Sequence, residues 1–455
     1  MTLSRQLAAW CASVEPAQVP AEVGNRIPAS LLDTAGLIIA GSATEAVKTA
    51  RAVAEGLGGI AQSTVVGSAK RLPSASAAFV HGIAAHCHDF DDTFPESVLH
   101  PGSVVIPTAL AVAEALHATN ADFRVAVAVG YEVAARIGTV AGRLFHARNM
   151  HATGFVGPLV AAAVAGRLKR LTAEQISWAI GLATSMSGGT RAYAKDGGWS
   201  KWLHLGWAAH GGIMAAELAA QGFRGPEHVL DGGSDLYSVM LWGDEVDRSK
   251  LLADIGQVWK GNAAEFKYYP CAHVIHPFID AVLGVVREHN LHAADIEEIE
   301  CAIAPWAAAI VCEPKDAKLR FDTELEATGS LPYQLSVAVL DRSVGLNSLH
   351  ETMRKRPEIG AFAKRVSYRK NEAAGRSFDG AIKIRVKSGH TFVRKATLAG
   401  NNVEKVRDKF IAIAEPALGR AVAHGAANRL LESGGGWTDI VNILRAAETV
   451  AARNR

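Results

Sequence analysis

The sequence predicts a mainly α protein: a large all-helical domain, with a smaller α+β domain inserted before the C-terminal helices. Three observations carry this expectation. Alanine- and leucine-rich segments fill the chain to about residue 265, alternating patterns appear after Pro270, and helical patterning returns at Val403. The expected boundaries are 1–270 with 399–455 for the helical domain and 271–398 for the α+β domain. At roughly 100–200 residues per domain, 455 residues fit two or three such units.

The N-terminal segment has apolar residues at helical spacing, and Glu15 arrives too early for a signal core, so no cleaved leader is expected. Pro107 to Leu116 and Leu159 to Leu168 are apolar on most sides, as in helices buried within a bundle, and their small side chains permit close packing. Turns are marked by Gly41-Ser42, Asn120-Ala121-Asp122, Ser187 to Thr190 and Asp231 to Asp235. Thr172 and Gln175 have the spacing of a capping box. A glycine-rich turn around Gly197-Gly198 precedes a helix over Ala208 to Gln221. Ile296 to Ala304 alternates as a strand, Leu331 to Leu340 reads as a helix, and Ala381 to Val386 with Thr391 to Val393 reads as a hairpin about Ser388-Gly389-His390. Val403 to Ile413 and Ala417 to Leu431 are helical and are expected to pack back on the first domain.

Composition excludes several classes. With 49% hydrophobic and 20% charged residues, disorder is disfavoured. A net charge of +2 leaves no chain-wide footprint for nucleic acid, so any polyanion site is local. The five cysteines are odd in number and lack a CxxC pair, which argues against a disulfide scaffold or structural zinc. No uncharged stretch is long enough to span a bilayer, and a cytoplasmic location is the expectation.

Polar chemistry concentrates in three segments. His86-Cys87-His88-Asp89-Phe90-Asp91-Asp92-Thr93 is followed closely by His100-Pro101-Gly102-Ser103. Three readings are open for it: a solvated loop that caps the next helix, a metal site using His86, His88 and Asp89, or metal-free acid–base work in which an aspartate orients a histidine or lysine. Lys195 to Gly206 joins a glycine-rich turn to Lys201, and is either an anion site or an exposed turn with solvated lysines. Glu265 to Pro277 places Lys267 among aromatic residues, a setting that suits a base or a carboxylate clamp, while Cys271 is as readily a packed small hydrophobe and His276 a structural contact. Gly56 to Ala61 formally fits a dinucleotide fingerprint, but it follows a helical segment rather than a strand.

The order of these motifs, with Ala219 to Pro226, His276 to Ala281 and Ser330-Leu331-Pro332-Tyr333, resembles the MmgE/PrpD family along nearly the whole chain. The resemblance implies a helical domain with an α+β lid, an active site between them, a homodimer, and no metal or organic cofactor. It implies catalytic roles for Asp89, His100, His151 and Lys267, and substrate contacts for Thr93, Lys201, His273 and Tyr333. The substrate it implies is a small polycarboxylate. First among the expected reactions is a hydro-lyase step on a citrate-like or hydroxy di- or tricarboxylic acid, of the 2-methylcitrate dehydratase type. Epimerisation of an imino- or amino-dicarboxylate and cis-aconitate-type decarboxylation come next, and a non-catalytic carboxylate-binding protein is the alternative of another class.

Overall fold

The computed structural model describes residues 1–453. The helices that position the site are α1 (Ala21–Gly41), α2 (Ser74–His86), α3 (Gly102–Leu116), α4 (Asn120–Ala141), α5 (Ala152–Leu168), α6 (Ser200–Ala220), α7 (His276–Glu288), α8 (Leu331–Asp341), α9 (Val403–Leu418) and α10 (Arg420–Glu432). No single helix among the described residues is long and apolar enough to cross a membrane. The strands are β1 (Ile296–Ile303), β2 (Val366–Lys370), β3 (Gly380–Val386) and β4 (Thr391–Ala396), in the sheet order β2-β1-β3-β4.

The chain is mainly helical, with a small mixed sheet followed by C-terminal helices. One hydrophobic core runs from Leu7 to Phe266 and takes in Val406 to Ala447. A second, from Cys271 to Ala396, is shared by α7, α8 and the sheet. The α3 and α5 helices are buried on nearly every side, as their unbroken apolar sequences require. The expected capping box forms, with Thr172 accepting from the Gln175 amide and the Gln175 side chain accepting from the Thr172 amide.

In the α+β part β1 pairs antiparallel with β3, and β3 pairs with β4 in the expected hairpin, whose turn includes Gly389 at φ 89°. The β2 strand was not expected from the sequence. It lies parallel to β1 at the sheet edge, and only Val366 of its five residues is buried, so it shows little of the apolar alternation that marks a strand.

The crossing of α2 and α6 sets the geometry of the site. A Cβ on Gly82 would lie 2.9 Å from the Gly206 Cα, and one on Gly206 would lie 2.4 Å from the Phe79 carbonyl oxygen. Only glycines permit this approach, which brings the end of α2 and the start of α6 together. Gly206→Ala should therefore destabilise the fold by about 1–3 kcal/mol, through forced separation of the backbones. A lower urea midpoint is expected, and an unchanged midpoint would contradict the crossing.

Candidate active site

A cavity of about 500 Å³ lies between the helical and α+β parts, lined by Asp89, Thr93, His100, His151, Lys201 and Lys267 from the former and His273 from the latter. Seven of the eight expected site residues therefore share one space.

Its centre is Asp89. The residue lies in the turn after α2, which ends at His86, and its φ of 50° is left-handed. Asp89 Oδ1 accepts from Lys267 Nζ at 2.7 Å and lies 2.9 Å from Lys201 Nζ. Lys267 also donates to the Asp89 carbonyl at 2.7 Å. All three side chains are about nine-tenths or more buried. Burial opposes ionisation of Asp89, but the charges of Lys201 and Lys267 overcome it and hold the carboxyl well below the usual range. Two lysines on one carboxylate leave one net positive charge facing the cavity.

The segment that carries Lys267 is held in place from two sides. Paired backbone hydrogen bonds between Thr93 and Glu265, at 2.8 and 2.7 Å, clamp the segment before Lys267 to the loop that carries Asp89. Lys409, on α9, donates to the carbonyls of Phe90 and Lys267 at 2.6 and 3.0 Å and pairs with Asp33 at 2.6 Å. The C-terminal helices thus hold the loop on which the centre rests. Nothing in the local sequence marks Lys409 or Asp33 for this task, because both act through tertiary packing.

Behind the lysines lies a row of imidazoles. His86 Nδ1 faces the Asp91 carboxylate at 2.9 Å, and Ser103 donates to the same carboxylate at 2.6 Å. His100 Nδ1 is 3.1 Å from the Asp92 carbonyl and 3.4 Å from Asp91 Oδ1. Both neighbours accept and cannot donate, so the His100 proton is assigned to Nδ1 and Nε2 carries the lone pair. Asp92 is fixed in turn by the Tyr131 hydroxyl at 2.7 Å and the Gly102 amide at 2.8 Å. A Cβ on Gly102 would sit 2.7 Å from Asp92 Oδ1, so glycine is required there. His151, at the N-cap of α5, has Nδ1 3.1 Å from His204 Nδ1. Its Nε2, the Thr93 hydroxyl and both ring nitrogens of His273 have no hydrogen-bond partner among the described residues. These groups and His100 supply the donors and acceptors of the cavity wall.

Burial is the main reason these imidazoles are neutral. It lowers His100 to about 3, against which the nearby Asp91 carboxylate works and to which the Lys267 charge adds. His151 and His273 are likewise held well below the ordinary histidine range, first by burial.

Other expectations are sorted by the geometry. The 86–93 segment is not a solvated loop: apart from half-buried His88, it is buried. His88 pairs with Glu324 at 2.7 Å, across a second groove of about 1370 Å³ that lies away from the imidazole row. Lys195 is exposed and Lys201 buried, so the two readings of their segment divide between them. Cys271 is buried and its thiol is pushed up by burial, which makes it a packed hydrophobe. Tyr333 must be corrected. Its hydroxyl donates to the Ser348 carbonyl and its ring packs with Phe321, because this face of α8 turns into a small core of its own rather than the cavity. The phenol that does reach the cavity is Tyr193, which sequence reading did not single out. Ligand atoms of His86, His100 and His151, and of His86, Asp89, Asp91 and His100, lie within 4.8 Å of one another, close enough for a metal ion. Asp89 is already paired with Lys201 and Lys267, and Asp91 is engaged by His86, His100 and Ser103.

A model of the MmgE/PrpD N-terminal domain matches residues 5–249, and one of the MmgE/PrpD C-terminal domain matches residues 269–432. The chain belongs to the MmgE/PrpD family. It is similar to the cis-aconitate decarboxylase of Mus musculus, 31% identical over 418 residues that cover 86% of this chain and 82% of that protein. The Homo sapiens cis-aconitate decarboxylase is 30% identical over 85% of this chain and 82% of its own length. That of Aspergillus terreus is 24% identical over 67% and 65%. The protein is an MmgE/PrpD-family lyase.

The neutral histidines give a stability signature. Between pH 6.5 and about 3 the unfolded chain binds a proton at His100 that the folded chain excludes. This contribution is complete above pH 6.5 and is lost as the pH falls, at about 1.4 kcal/mol per pH unit and proton. Urea unfolding across this range should give a shallower pH slope for His100→Gln than for the wild type, and equal slopes would contradict a neutral buried His100.

Proposed function

We propose that this protein is a carboxy-lyase that decarboxylates a cis-aconitate-type tricarboxylate without a metal ion. The observation that carries the reading is the cationic Asp89–Lys201–Lys267 centre set beside neutral, anchored imidazoles in a largely buried cavity. The relatives named above support carboxyl loss over the dehydration placed first from the sequence.

The chemistry needs one anion clamp and one proton donor. The bond from the substrate methylene to its carboxylate breaks, and its electron pair forms a new double bond to the central carbon. The former alkene pair moves to the carbon beside the second carboxylate, where it spreads as an aci-carboxylate and is quenched by one proton. A tricarboxylate trianion and a proton become carbon dioxide and an unsaturated dicarboxylate dianion. Lys201 and Lys267 stabilise the charge that builds on the carboxylate. His100 delivers the proton from Nε2. It is better placed than His151 because its Nδ1–H rests against the Asp92 carbonyl and the Asp91 carboxylate, which stabilise an imidazolium, whereas the neighbour of His151 is another imidazole. Binding of the trianion raises the proton affinity of His100 and so charges the donor only when substrate is present.

Incubation with cis-aconitate in D₂O, followed by NMR, tests this. One deuterium in a five-carbon unsaturated diacid, with release of carbon dioxide, is expected, and His100→Asn should lower kcat by about 10²–10⁴-fold. Dehydration uses the same clamp, so water loss from a 2-methylcitrate-type acid with no release of carbon dioxide from cis-aconitate would overturn the assignment. Inversion of an imino- or amino-dicarboxylate, or activity that disappears with stoichiometric zinc or manganese on chelation, would also overturn it.

A further inference from the structure

The Asp89 centre accounts for one region of positive charge in the cavity, and a second is built from Arg191 and Lys318. Arg191 lies in the loop before the short helix Tyr193–Asp196 of the helical part, and Lys318 in the turn Ala317–Leu319 of the α+β part. Both line the cavity and both are half-buried. Arg191 donates to the His146 carbonyl at 3.3 Å and Lys318 to the Gly329 carbonyl at 2.8 Å. Neither is ion-paired with a carboxylate among the described residues, whose ion pairs instead occupy the acids nearby. Glu313 pairs with Lys370 at 2.9 Å, and Glu326 closes a capping box with Thr323. Asp89 is held by its two lysines.

The two cations are close enough to act on each other. Burial first, and the Arg191 charge in addition, bring the Lys318 ammonium down to about 8, with Glu326 working against them. Arg191 also stands near the Asp89 centre: His146 lies within reach of the charges of both Arg191 and Lys201, and Tyr193 within reach of both Arg191 and Asp89. Two like charges from different parts of the protein, neither ion-paired among the described residues, are relieved by an anion that bridges them.

We propose that Arg191 and Lys318 form a second carboxylate subsite, which makes the cavity select tricarboxylates over dicarboxylates. The inference deepens the reading above and rests on it for the class of substrate, not for the reaction. Because one cation comes from each part of the protein, a carboxylate held here ties the α+β part to the helical part around the substrate.

The test is isothermal titration of the intact protein with two acids that do not react, propane-1,2,3-tricarboxylate and pentanedioate, which differ by one carboxylate. The wild type should bind the tricarboxylate at least about 10-fold more tightly, the value of one charge-assisted contact. Arg191→Gln and Lys318→Gln should each weaken the tricarboxylate by about 10–100-fold and leave pentanedioate within about 2-fold. Arg191→Lys and Lys318→Arg should retain most of the preference, and Lys318→Gln decides the matter if Arg191→Gln does not fold. Equal weakening of both acids, no effect on either, or a wild type without preference would overturn the subsite. Selective binding by a protein that releases no carbon dioxide from cis-aconitate would sustain the subsite and remove the decarboxylase reading.

Discussion

Two lysines share one carboxylate oxygen, and the rest of the site is arranged around that fact. Lys201 comes from the start of one helix, Lys267 from a loop at the domain junction, and Asp89 from the end of another helix. Alone, each buried charge would be strongly unfavourable. Together they satisfy one another, and removing one partner of a buried set typically costs about 3–5 kcal/mol. The glycine crossing of α2 and α6, the Thr93–Glu265 bridge and the Lys409–Asp33 pair are the means by which three distant segments reach the same point.

Burial is the first reason the imidazoles beside the lysine pair are neutral, and the lysine charge adds to it. For His100 burial outweighs the nearby Asp91 carboxylate, the Lys267 charge adds to burial, and the ring holds only its Nδ1 proton. In the decarboxylation proposed above, a bound polycarboxylate offsets the lysine charge, so that substrate binding and charging of His100 are one event. Asp91 and Asp92 serve this sequence from behind the histidines, held by Ser103, Tyr131 and the Gly102 amide.

Much of this was legible in the sequence for identifiable reasons. Buried helices such as Gly102–Leu116 betray themselves by unbroken apolar composition, and the β3–β4 hairpin by alternation about a glycine turn. The density of His and Asp between 86 and 103 marked the centre of the site, because such groups are too unfavourable to bury without partners. What was not legible depends on packing. The β2 strand has too few buried residues to show alternation, and Lys409 looks like any helix-surface lysine although it is buried under the site loop. The motif position of Tyr333 pointed to the cavity, but which face of α8 turns inward is decided by Phe321, Leu349 and Ile359, residues outside the motif. Arg191 and Lys318 form a pair only because two parts of the fold meet, and each alone is an ordinary surface-type cation.

A crystal structure with bound propane-1,2,3-tricarboxylate would show whether the lysine pair on Asp89 receives a substrate carboxylate. One carboxylate is expected within hydrogen-bond distance of both Lys201 Nζ and Lys267 Nζ, with Asp89 still bonded to them and His100 Nε2 facing the ligand. A tricarboxylate seated in the groove beside His88 and Glu324, with the lysines bonded to Asp89 alone, would contradict this placement.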